Sequence, residues 1–344
     1  MDARLTPLRL GTRGSQLALW QAHTVARRIA EAGGPTCEIS VIRTSGDALQ
    51  SAPLSEIGGK RLFVKEIEDA LLRRDIDIAV HSSKDMSAVL PQGLTIAGVL
   101  AREDPLDALV LPARAAGAEN DLAAVYESAA TIDDIVATLG QTPSIGTGSV
   151  RRIAQLTRLW PNARFANIRG NLDTRLRKLD EGAHDVLVLA AAGLRRLGFG
   201  ARISLAVPAS ACVPAPGQGI VAVEARVDDR RAAEAVAAID DAAAHGALTA
   251  ERAVVEALGG GCQTPIGALA SPLDDVSFEL VAIVVALDGS DAVRASARGS
   301  YAEAARVGAT VAERLLADGA GEILADVRTR QSPVVSRATT EAGD

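Results

Sequence analysis

The residues His81 to Asp85, HSSKD, set a lysine beside an aspartate directly after an apolar run that reads as a buried strand. A carboxylate held there can stabilise a developing cation or carry a proton, and the adjacent ammonium can meet an anion. A plain surface turn would be spelled the same way. In GTGSVRR, Ser149 as an N-cap would put Arg151 and Arg152 in the first helical turn, where the helix dipole disfavours cations. That conflict is relieved if a bound anion is shared by the arginines and the free helix N–H groups; two solvated arginines are the alternative. Arg13 in TRGS, and Arg169 and Arg175 in RGNLDTRLRKL, repeat the theme. Together they describe a cleft lined by arginines and suited to a small molecule with several carboxylates, because the guanidinium fork matches carboxylate geometry. A nucleotide would more often call for GxGxxG or a P-loop, and neither is present. In GGGCQTP, Cys262 follows three glycines that permit unusual backbone angles and the close approach of another group, although a lone cysteine can also be incidental.

These motifs fall at turns from a strand into a helix, the place where open α/β sheets bind ligands. The runs LRLGTR, CEISVIRT and DIDIAVH alternate with helical periodicity from Ser15 and over Val64 to Arg74, which predicts an open α/β sheet. TIAGVL, DALVL, a helix begun by Thr131, SIGTGS with its helix, ARFANI, a helix after Asn171 and DVLVLAAAG predict a second α/β lobe. Pro208, Pro214 and Pro216 then interrupt the pattern and mark a domain crossing. After GIVAVEARV come a helix, the Gly-rich loop, the strand FELVAIVVAL, a strand near Val293 and a helix from Glu303 to Asp318, a small α+β domain. The Ala-rich stretch 113–130 reads as a surface insertion and 331–344 as a disordered tail.

A chain of 344 residues exceeds one core, so two or three domains are expected, with clefts between them. With 48% apolar and 2% aromatic residues, that core must be Ala, Val, Leu and Ile. The net charge of −7 argues against a nucleic-acid partner, so an anionic ligand must be met by a local cation cluster. A charged start to the chain and the lack of a long apolar run argue against export and membrane spanning. Cys37, Cys212 and Cys262 stand far apart and fit reduced thiols in a cytoplasm, and the four scattered histidines argue against a metal site. Lysine occurs only at Lys60, Lys65, Lys84 and Lys178; Lys60 and Lys84 lie in Gly- or Ser-containing loops, where a compact ammonium has been kept in a chain that otherwise uses arginine.

Taken together, TRGSQLALWQA, GGKRLFVKE, DIAVHSSKD, GTGSVRR, RGNLDTRLRKLDEG, LAAAGLRRLG, PAPGQG and LGGGCQTPIG resemble the hydroxymethylbilane synthase (porphobilinogen deaminase) family, over residues 8 to about 326. The resemblance implies an α/β protein with two lobes like type II periplasmic binding proteins and a small α+β C-terminal domain. The division expected is 1–101 with about 219–238, then 102–218, then 239–330. It implies a transferase that joins four porphobilinogen units head to tail with loss of ammonia, through an electrophilic azafulvene, and releases hydroxymethylbilane by hydrolysis. Cys262 would carry a dipyrromethane cofactor through a thioether and serve as an anchor. Asp85 would be the acid-base and cation-stabilising residue, and Lys84 would neutralise substrate carboxylates. Arg13, Ser15, Arg151, Arg152, Arg169, Arg175 and Arg196 would bind acetate and propionate groups, with Ser82, Thr147, Ser149, Gly170, Gln218 and Gly219 completing the cleft. Residues 44–60 match a mobile loop that brings Asp47, Lys60 and Phe63 near the cofactor. A cytoplasmic monomer that passes its product to a downstream cyclising enzyme is implied as well.

The sequence departs from the family at Ser87, where proline is frequent, at Glu56, where some members have lysine, and at Gly148, where serine is frequent. Two competing classes are a non-catalytic two-lobed binding protein for a polycarboxylate and a cysteine acyltransferase. The second would need a base for its thiol, and no histidine can be assigned to Cys262.

Overall fold

The computed structural model describes residues 6–44, 64–113, 132–261 and 264–331. Cys262, Asp47, Lys60, Phe63 and Glu56 lie outside the described residues, as do 114–131 and the expected tail from 332 onward.

Strands buried on both faces need helices on both faces, and the alternating pattern supplies them. β1 (Leu8–Thr12), α1 (Gln16–Glu31), β2 (Cys37–Val41), α2 (Lys65–Leu72), β3 (Ile78–Ser82) and β4 (Leu94–Val99) build the first lobe. They join β10 (Val221–Arg226) in a five-stranded sheet of order β2-β1-β3-β10-β4, in which β10 runs antiparallel to both neighbours. The second lobe holds β5 (Asp107–Val110), α3 (Ile132–Leu139), β6 (Ser144–Gly146), α4 (Val150–Thr157), β7 (Arg164–Ala166), α5 (Leu172–Asp180), β8 (Val186–Ala190), α6 (Ala191–Arg196) and β9 (Leu205–Val207). Its five strands follow the order β7-β6-β8-β5-β9, with β5 antiparallel to both neighbours.

In each sheet the antiparallel strand is the one the chain enters directly after crossing from the other lobe. The two crossings run side by side, joined by Leu100 N to Val221 O at 3.0 Å and Glu103 N to Gly219 O at 3.1 Å. Gly219 sits at φ +88°, and a Cβ there would lie 2.2 Å from the Glu103 carbonyl oxygen, so this approach admits only glycine.

α7 (Arg230–Ala237) returns to the first lobe. The third unit pairs α8 (Ala242–Ala257), α9 (Ala304–Ala317) and α10 (Ala320–Gln331) with the antiparallel sheet β11 (Ile266–Pro272), β12 (Ser277–Val285) and β13 (Ala292–Ser300). Val254, Phe278, Leu280, Val311 and Leu315 fill its core. The terminal helix α10 lies beyond Glu303 to Asp318, the last helix expected from the sequence. Gly319 breaks the chain at φ +101°, and Ile323, Leu324 and Val327 then resume the core.

Two apolar clusters tie the third unit to the lobes: Met86, Val99, Ile220, Ala222, Ala244 and Leu248 on the first, and Ala154, Val213, Leu269, Ile283 and Val285 on the second. At their junction Glu251 of α8 is fully buried and accepts from Arg102 Nη1 at 2.5 Å, Gly217 N at 2.6 Å and Ala270 N at 2.8 Å. One carboxylate thus pins both crossings and β11. Removing it strands the Arg102 charge, so Glu251→Ala is expected to cost about 3–5 kcal/mol in denaturant unfolding. The exposed pair Arg27–Glu31 is the control: Glu31→Ala is expected to cost less than about 1 kcal/mol, and equal losses in the two variants would show that the buried node is not special.

Candidate active site

β3 ends at Ser82, and the chain tightens into a 3-10 turn over Ser83–Asp85. Ser82 Oγ accepts from Gln21 Nε2 at 2.8 Å, which fixes the strand end against α1. Beyond it, Lys84 donates to Gln218 Oε1 at 3.3 Å, and Gln218 Nε2 donates to Asp107 Oδ1 at 2.9 Å and to the Pro105 carbonyl at 2.7 Å.

Asp107, the first residue of β5, is fully buried. It accepts from Arg151 Nη1 at 2.7 Å and Nη2 at 3.2 Å, and from Arg152 Nε at 2.9 Å and Nη2 at 2.7 Å. Arg151 also donates to Val213 O and Arg152 to Val188 O, each at 2.8 Å. Ser149 caps α4 by accepting from Arg152 N, as its position in the sequence implies. The anion that the first-turn arginines require is therefore supplied by the chain itself, an arrangement the sequence reading missed. Its only signal was an aspartate opening the otherwise apolar strand DALV, and neither partner is near it in sequence.

Burial works against the Asp107 charge, but the two guanidinium groups outweigh it and hold the carboxyl far below the usual range. Burial likewise opposes the Arg151 charge, and Asp107 reverses the balance so that its pKa rises. Lys84 makes no direct ion pair among the described residues. Its enclosure pushes the ammonium down to about 8, with Arg152 and Arg151 adding to the fall and Asp85 and Asp107 opposing it. Burial also lowers Arg175, joined by Arg152 and Arg169 and opposed by Asp85. Asp85 thus stands in the field of both Lys84 and Arg175.

Lys84, Ser149 and Arg151 line one cavity together with Ser83, Pro216, Gly261 and Thr264. Thr147 is buried behind it and takes the Ser149 amide on Oγ1 at 3.3 Å. Gly170, at φ +111°, opens α5 and accepts from Arg175 Nε at 2.8 Å; the Arg169 carbonyl takes Lys178 Nζ at 3.4 Å. Arg13 follows β1, and Ser15 caps α1 through the Ala18 amide at 3.3 Å. Arg196 is not brought to this cavity. It borders a separate cleft beside Trp20, 5.5 Å from its ring centre, and donates to Gly219 O at 2.6 Å. Of the family departures, Ser87 follows the 3-10 turn, and a Cβ on Gly148 would lie 2.3 Å from Asn167 Oδ1, so a serine there would require that exposed side chain to move.

Residues 8–234 match the family model described as "Porphobilinogen deaminase, dipyromethane cofactor binding domain", and residues 246–317 match the C-terminal domain of the same family. Porphobilinogen deaminase from Syntrophobacter fumaroxidans is 43% identical over 321 residues, covering 93% of this chain and 97% of that protein. The protein of the same name from Moorella thermoacetica is 42% identical over 324 residues, covering 94% of this chain and 97% of its own. Among solved structures, immunogenic lipoprotein A from Vibrio vulnificus aligns with a TM-score of 0.40 at 13% identity, over 71% of this chain and 99% of that one. The chain belongs to the porphobilinogen deaminase family, transferases with a dipyrromethane-binding domain.

The Asp107 cluster has a testable pH signature. A carboxyl depressed in the folded state contributes stability that is whole above its unfolded value, about 3.9, and is lost as pH falls below it. Asp107→Asn is expected to lower stability by about 3–5 kcal/mol at neutral pH. The gap to wild type should narrow as pH is taken from about 5 to about 2, by roughly 1.4 kcal/mol per pH unit below the unfolded value. A gap that stays constant across this range would refute the ion cluster as its source.

Proposed function

We propose that this chain makes hydroxymethylbilane from porphobilinogen on a dipyrromethane primer joined to Cys262, and that Asp85 is its catalytic carboxylate. The observation that carries this reading is that three motifs distant in sequence border one cavity: Lys84 of HSSKD, Ser149 and Arg151 of GTGSVRR, and Gly261 and Thr264 of GGGCQTP, the described chain neighbours on either side of residues 262 and 263. The donor set fits the cofactor. Dipyrromethane is rich in carboxylates, and Lys84, Arg151 and Arg252 line this cavity with no carboxylate among its described lining residues. The two described thiols are poorer anchors, since burial pushes Cys37 up to about 11 and Cys212 up to about 12.

When bound, dipyrromethane supplies a pyrrole α-carbon as the nucleophile to which each substrate unit is added. The Asp85 carboxylate stabilises the positive charge that develops on substrate pyrrole nitrogen as the carbon–nitrogen bond breaks and ammonia leaves. The same carboxylate then takes up the proton displaced when the new carbon–carbon bond forms. Lys84, Arg175, Arg169 and Arg13 meet substrate and cofactor carboxylates. Arg151 and Arg152, locked on Asp107, keep a fixed positive potential beside them. Gln218 holds Lys84 in place, and Ser82, Ser15, Ser149, Thr147, Gly170 and Gly219 shape the turns that carry these groups. Arg196, on its separate cleft, binds carboxylates of the cofactor and growing chain only by resemblance to the family. Asp47, Lys60 and Phe63 act from a loop over the site, by resemblance to the family.

The sheets support a division into 1–101 with 219–238, 102–218 and 239–330. Among the described residues no helix is long and apolar enough to cross a membrane. Resemblance to the family is what supports a cytoplasmic monomer that hands its product to a cyclising enzyme.

Intact mass of the active protein is expected to exceed the chain mass by two linked pyrroles, and Cys262→Ser is expected to lose that increment; an active protein of unmodified mass refutes the anchor. Asp85→Asn is expected to keep the adduct and the fold while turnover in single-turnover assays falls by about a hundredfold or more. Wild-type rates in that variant would sink the assignment.

A further inference from the structure

We propose that Arg252 is a further carboxylate-binding residue of the cavity, holding an acetate or propionate group of the bound dipyrromethane. The inference rests on the reading that dipyrromethane occupies this cavity. Leu248, Arg252 and Val255 follow one another at steps of four and three along α8, which places them on one helix face. All three line the cavity bordered by Lys84, Ser149 and Arg151. Arg252 is thus a cation presented by the third unit, where Lys84 comes from the first lobe and Arg151 from the second.

Three enclosed arginines nearby are matched by carboxylates of the chain. Arg102 is paired with Glu251, and Arg151 and Arg152 with Asp107. Arg252 forms no ion pair among the described residues. Its Nη2 donates to the Ala88 carbonyl at 2.6 Å, a single bond to a neutral acceptor that fixes the side chain and leaves most of its five N–H donors uncommitted. Burial lowers its pKa, opposed by the charges of Glu224 and Glu256. Glu224 is itself fully buried and directed to His81, 3.2 Å away, and Glu256 is exposed on the same helix. A partly buried guanidinium without a direct counter-ion, facing a cavity that takes a polycarboxylate, is complementary to a ligand carboxylate.

The test uses the full-length apoprotein of wild type, Arg252→Met and Arg252→Lys, incubated with porphobilinogen. Covalent loading is followed by intact mass, and melting temperature is read before and after loading. Arg252→Met is expected to melt close to wild type as apoprotein, to load about tenfold or more slowly, and to gain less melting temperature on loading, the scale of one charge-assisted hydrogen bond. Arg252→Lys, which keeps the charge but not the fork, is expected to fall between the two. If Arg252→Met lowers apoprotein and loaded protein equally, Arg252 only braces Ala88 and the proposal is overturned. Should Arg252→Met fail to fold, Arg252→Lys decides: loading and stabilisation indistinguishable from wild type overturn the proposal, and a partial loss of both supports it. A wild-type protein that gains no adduct would instead overturn the functional reading on which this one rests.

Discussion

Asp107 is the constraint around which the ligand-facing half of the molecule is arranged. One carboxylate, shut off from water, receives two guanidinium groups from the first turn of α4 and the amide of Gln218 from the opposite crossing. A buried triad of this kind need not be more stable than an apolar replacement, because desolvation offsets much of the attraction. Its contribution is selectivity: any packing that separates the members leaves an uncompensated charge in the interior. The register of β5 against β8, where Asp107 faces Ala190, and the seating of α4 are therefore decided together.

That arrangement also prepares the electrostatics of the cavity. Arg151 and Arg152 share a single carboxylate; burial is the main cause that lowers Lys84 and Arg175, and Arg152 adds to the fall of both. A Lys84 ammonium near 8 is protonated only in part at mildly alkaline pH, and an arriving carboxylate favours its charged form. The cost of holding these cations together is met during folding, so little reorganisation is needed when an anionic ligand enters.

The paired crossings explain how three sheets come to share one cavity. Each brings an antiparallel strand into a sheet of the other lobe, and the contact at Gly219 leaves no room for a side chain between them. Glu251 then ties α8 to the same crossings, so the helix that carries Arg252 and leads into Gly259–Gly261 is held at a set distance from the HSSKD turn.

The sequence by itself determined the alternation of strands and helices, the cap at Ser149, the turn carrying Lys84 and Asp85, and, through the order of its motifs, the family. These are legible because caps, turns and periodicity are local and act within a few residues. The short strand β9, the helix α10 behind its glycines, and above all the partners Asp107, Glu251 and Arg252 were decided only by the tertiary structure. Asp107 lies 44 residues from Arg151, and Arg102 lies 149 from Glu251, so nothing in their local sequence distinguishes these carboxylates from solvated ones. Their roles come from desolvation, which exists only once strands and helices from three units have closed around them.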